Sequence, residues 1–84
     1  MINKDVQDSE IQRAKLVEVS RIEFLLQRDG AATTIIWVRR TLAIYRRAVL
    51  DQRHFAQSEK YRRKFVASCL VFRGWLASNG GYGR

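Results

Sequence analysis

Ala31-Ala-Thr-Thr-Ile-Ile-Trp-Val-Arg-Arg-Thr-Leu-Ala-Ile-Tyr-Arg-Arg-Ala-Val-Leu50 is the stretch whose periodicity decides the fold. Ala31, Ile35, Val38, Leu42, Tyr45 and Val49 recur at alternating steps of four and three, the spacing of a heptad seam in left-handed helix packing. Ile36, Ala43 and Leu50 lie on one flank of that seam, and Trp37, Ile44 and Ala48 on the other. A helix apolar over more than one face is expected to sit between neighbours. Continuing the seam past Val49 would turn Arg53, Ala56 and Lys60 inward, so the helix, read over about 31–50, is predicted to stop or bend between Asp51 and Ser58, where a loop fits.

Working outward, Asp29-Gly30 predicts the break before this helix. The glycine takes a left-handed conformation, and the aspartate offers an oxygen to the next helix start. Upstream, Ser9-Glu10-Ile11-Gln12 has the form of a capping box. The helix that follows is predicted over about 9–28, with Ile11, Ala14, Val19, Ile22, Leu25 and Leu26 on its core face and Lys15 and Glu18 at the margin. Downstream, Ser58 and Glu59 suit a helix start. A third helix over about 58–78 would turn Tyr61, Phe65, Ser68, Cys69, Phe72, Trp75 and Leu76 inward. The absence of proline leaves nothing to interrupt these helices. Residues 1–84 thus read as a single all-α domain, an up-down-up antiparallel three-helix bundle with flexible tails at 1–8 and 79–84. A homodimer of helical hairpins is the alternative assembly.

Charge points to a partner. Twelve of the 16 cationic side chains are arginine, and the formal net charge is +8. Residues 1–30 balance at −1, whereas 31–84 carry +9, an asymmetry that suggests a binding face. Arg39-Arg40 and Arg46-Arg47 repeat at seven residues, hence on one side of the helix about 10.5 Å apart. With Arg62, Arg63 and Lys64 they form the candidate surface for an anionic partner. Nucleic acid is the first expectation, because neutralising a row of phosphates releases counterions and needs only such an array. The bland alternative is that these arginines are solvated, or pair with Glu18, Glu23 or Asp51.

An acidic protein is the second partner class. Leu16, Val17 and Phe24 fall off the core face of the first helix, as do Val66 and Leu70 on the third, and Trp37 and Ile44 are left over on the second. Phe24, Trp37 and Ile44 are the candidate protein-interface anchors, and apolar residues at the surface of so small a domain also raise the prospect of a homodimer.

Chemistry has little to work with. Cys69 and His54 are the sole thiol and imidazole, and Cys69 lies on the aromatic face, where a buried structural thiol is expected. One His with one Cys falls short of a zinc site. No carboxylate pair shares a helix face, and Gly80, Gly81 and Gly83 precede no helix that would hold a phosphate. The reading is therefore a non-enzymatic protein with no cofactor, no metal and no small-molecule substrate. Helices near 20 residues packed lengthwise differ from a helix-turn-helix unit, and Tyr82 beside Arg84 is a weak stacking pair for single strands. The run Ala31 to Val38 is too short to cross a bilayer, and a polar, acidic start with a single cysteine predicts a cytoplasmic setting.

Arg28-Asp29-Gly30 together with Arg39-Arg40-Thr41-Leu42-Ala43-Ile44-Tyr45-Arg46-Arg47-Ala48-Val49-Leu50 resembles short, basic, uncharacterised helical proteins of bacterial phage and prophage gene clusters. The resemblance covers about half the chain. It implies a bacterial or phage cytoplasmic setting and carries over no activity and no site residues.

Overall fold

A computed structural model describes residues 7–51 and 59–79. Three helices, α1 (Asp8–Asp29), α2 (Ala31–Leu50) and α3 (Glu59–Ser78), pack into an all-α bundle. The core forms in two layers. Ala14, Val49, Val66, Ala67 and Val71 meet at one end, and Ile22, Val38, Leu42, Cys69, Phe72 and Leu76 at the other. The start of α1 therefore meets the end of α2 and the first half of α3, which makes α2 antiparallel to both.

The α1 start departs from the expected cap. Gln7 is the N-cap, its backbone N–H donating to Glu10 Oε1 at 3.2 Å, while Ser9 already lies inside the first turn. The Glu10 carboxylate is a stronger acceptor than a glutamine amide, and with Asp8 it sits at the positive end of the helix dipole. The α1–α2 connection is Gly30 alone, at φ 86° and ψ 171°, a conformation open essentially to glycine. Gly30 N–H donates to the Leu26 carbonyl at 3.0 Å and closes α1. Its carbonyl accepts from the Thr34 N–H at 3.2 Å and from the Thr34 hydroxyl at 2.7 Å. Asp29, expected to cap α2, instead ends α1, and its carboxylate accepts three bonds from Arg28, two from Nε at 3.1 Å and one from Nη2 at 2.9 Å. The cap expected at Ser58 lies outside the described residues.

The place between neighbours belongs to α3 rather than α2. Val66, Ala67, Ser68, Cys69, Val71 and Phe72 are all buried, so across two turns of α3 only Leu70 keeps part of its surface in solvent. Three of these side chains are small, which lets α1 and α2 close in from different directions. Val66, read from sequence as left over, is thus core, and Leu70 packs against it half-buried. Tyr61, read as inward, is 58% exposed, because it sits in the first turn of α3, beyond the described core layer. On α2 the seam holds at Val38, Leu42 and Val49, with Ile35 and Tyr45 half-buried. Ala31 is exposed and the fully buried Thr34 takes its place, its hydroxyl satisfied by the Gly30 carbonyl. Tyr45 stands edge-on to Phe65 at 4.7 Å and tilted against Phe72 at 5.7 Å, tying α2 to α3.

Candidate anionic-partner interface on α2

Burial of Thr34, Val38, Leu42 and Val49 fixes the rotation of α2, and with it the direction of every other side chain on the helix. Arg39, Arg40, Arg46 and Arg47 are all exposed. Helix geometry separates them into two rows, Arg39 with Arg46 and Arg40 with Arg47, each pair one seven-residue step or about 10.5 Å apart. Between the rows runs a line of Ile36, Ala43 and Leu50, again seven residues apart. Ile36 is 51% and Leu50 73% exposed, and Ala43 is exposed as well.

No acidic residue occurs between Ala31 and Leu50. Among the described residues none of the four arginines has an ion-pair partner, so the alternative in which they pair with Glu18, Glu23 or Asp51 is not what the structure has. Glu18 is engaged elsewhere, 3.4 Å from Arg21.

The remaining predicted cations behave differently. Arg62 Nη1 donates to Glu59 at 3.1 Å, and Arg63 Nη2 donates to Glu10, bridging α3 to α1. Both arginines are half-buried, and only Lys64 of this cluster is exposed. The three consecutive side chains diverge around α3, because a step of 100° per residue cannot keep neighbours in sequence on one face. Arg73 was not singled out from sequence, yet it and Arg46 both lie near enough to Cys69 to act on its thiol. Its position one turn after Cys69 was the available signal.

Two interface anchors remain at the surface: Phe24 is 60% and Ile44 63% exposed. The Arg28 guanidinium covers the Phe24 ring at 5.3 Å. Trp37 is drawn in instead, half-buried and edge-on to Phe72 at 6.1 Å. Leu50 and Arg46 also rim a shallow cleft between α2 and α3, lined by Val49, Val66 and Cys69.

The Cys69 thiol is buried, and loss of solvent pushes its pKa up to about 11, against the opposing pull of Arg46 and Arg73. It stays protonated at neutral pH and is a poor nucleophile there. Its proposed comparison with His54 lies outside the described residues, as do Tyr82, Arg84 and the glycines of the tail. Glu18, placed by sequence at the margin of the core face, is only 4% exposed. Positions 14, 18 and 22 form one line along α1, and both neighbours on it are buried, so the carboxylate is carried inward with them. Among the described residues Glu18 Oε1 has no hydrogen-bond partner, nor does Arg63 Nε.

Among the described residues no group of three or more His, Cys, Asp or Glu gathers as a metal site, and no helix is long and apolar enough to cross a membrane. No family model, curated protein or solved structure matches the chain.

Proposed function

We propose that this chain is a non-enzymatic binding module that holds an anionic macromolecule against the outward face of α2. One observation carries the reading: four exposed arginines stand on a helix that contains no acid, with no intramolecular ion pair among the described residues to occupy them. Guanidinium groups left without carboxylates favour partners that bring their own oxygens, taken up in pairs by the planar fork.

Two partner classes satisfy those arginines. Nucleic acid supplies phosphates at regular spacing, and counterion release would provide most of the affinity. An acidic protein surface supplies carboxylates and also covers apolar side chains. The exposed Ile36 and Leu50 between the arginine rows favour the protein, since a phosphate backbone leaves them without contacts.

Anisotropy titrations with labelled duplex and single-stranded oligonucleotides across a salt series test the module. If nucleic acid is the ligand, log affinity falls linearly with log salt, and the slope counts phosphate contacts. Replacing Arg39, Arg40, Arg46 and Arg47 together by glutamine is expected to weaken any anionic partner without moving the melting temperature. Unchanged affinity in that variant would remove α2 from the reading.

A further inference from the structure

The geometry points to a specific kind of occupant for this face: an acidic amphipathic helix of a partner protein, with apolar residues repeating every seven positions and carboxylates beside them. The inference rests on the binding-module reading and names its partner. In packed helices, a side chain of one helix enters a diamond of four residues on the other, spaced i, i+3, i+4 and i+7. The outward face of α2 holds two such diamonds end to end. Ile36, Arg39, Arg40 and Ala43 form the first, and Ala43, Arg46, Arg47 and Leu50 the second.

Each diamond has apolar ends and arginine sides, and every one of its members is exposed. Ala43, the corner shared by both, is a small side chain between the two bulky aliphatic ones, so it leaves both diamonds open to an incoming side chain. An apolar residue entering each diamond would rest on Ile36, Ala43 or Leu50, with its flanking carboxylates within reach of an arginine on either side. Two successive knobs about 10.5 Å apart demand a partner with the same seven-residue repeat. That demand is what separates a helix from a phosphate backbone, which needs the arginines but has no use for the apolar corners of the diamonds.

The test uses the full chain and a labelled helix-forming peptide of about 18 residues, long enough to span both diamonds at 1.5 Å per residue. It carries leucine every seventh position with glutamates beside each. Two competitors accompany it: a peptide of the same composition with the repeat scrambled, and a duplex oligonucleotide. The repeating peptide is expected to bind at least about tenfold tighter than the scrambled one, the size of effect that a few well-seated anchors provide.

Ala43→Trp, which puts a bulky ring at the corner both diamonds share, is expected to cost about tenfold for the repeating peptide and nothing for the oligonucleotide. A paired Ile36→Ser and Leu50→Ser variant should act in the same direction. All these positions are exposed, so an unchanged melting temperature confirms that the fold is intact. Equal affinity for scrambled and repeating peptides, or indifference to Ala43→Trp, would overturn the helix and leave a simple charge array. Preference for the oligonucleotide at physiological salt would assign the face to nucleic acid, overturning the inference while the binding-module reading stands. A dimer in sedimentation that Ala43→Trp dissolves would hand the face to a second copy of this chain, again overturning it. If neither peptide nor oligonucleotide binds at low salt, the inference and the module reading fail together.

Discussion

Replacing Glu18 by methionine should make this protein more stable, contrary to the usual effect of changing a buried residue. Glu18 sits on the α1 core line between Ala14 and Ile22, 4% exposed, with Oε1 lacking a hydrogen bond among the described residues and the Arg21 guanidinium 3.4 Å away. A buried acceptor left unsatisfied costs about 1–3 kcal/mol. The Arg21 pair returns little of this, because its guanidinium side is 45% exposed and such pairs are worth about 0.2–1 kcal/mol. Methionine keeps the length of the side chain, carries no group that must be solvated, and adapts to irregular space. The difference is a gain of about 1–2 kcal/mol, or roughly 5–15 °C in melting temperature for a domain of this size. Thermal and urea unfolding followed by circular dichroism measure it. An Arg21→Ala change in both backgrounds isolates the pair, whose coupling should stay below about 1 kcal/mol. A loss of stability greater than about 1 kcal/mol on Glu18→Met would refute the reasoning, since it would mean that the carboxylate is satisfied in solution.

Gly30→Ala should destabilise by about 1–3 kcal/mol through its backbone angles alone, because a Cβ there meets nothing within 4 Å. A D-alanine placed at 30 by chemical synthesis should remove that penalty, and a destabilised D-alanine variant would show the cost to be steric. Cys69 should resist thiol reagents at pH 8 until the chain unfolds, and rapid labelling of the native protein would contradict its burial. Because burial raises this thiol from 9.0 to about 11, its contribution to stability is complete below pH 9 and is lost as pH rises through about 11; urea midpoints measured across that range check the sign against a Cys69→Ala control. Arg63→Ala should destabilise, since Arg63 ties α3 to α1 through Glu10; an unchanged midpoint in urea would contradict this.

Helix positions follow from local chemistry: alternating steps of three and four, a glycine between two periodic runs and no proline. The observed α1, α2 and α3 accordingly start and end within a residue of the expected 9–28, 31–50 and 58–78. Side-chain fates were less legible where polarity and geometry disagree. Glu18 and Thr34 lie on buried lines although their side chains are polar, and Val66 is core although it falls off the aromatic face of α3. The arginine pairs of α2 were evident from their seven-residue repeat, whereas Arg62 and Arg63 looked equivalent to them until the structure placed Glu59 and Glu10 in reach.

Sequence alone was sufficient for the helical class, the three segments, the turn at Gly30 and the concentration of positive charge after residue 30, because each depends on neighbours within about one helical turn. Which helix occupies the middle, which arginines stay unpaired and which aliphatic residues face outward depend on contacts between segments far apart in the chain. A rotation of α2 by one residue would keep every local preference and still move Ile36, Ala43 and Leu50 by 100°. Packing of Val38, Leu42 and Phe72 against one another in the far core layer removes that freedom. It sets Ile36, Ala43 and Leu50 between two rows of arginine on the exposed surface of α2.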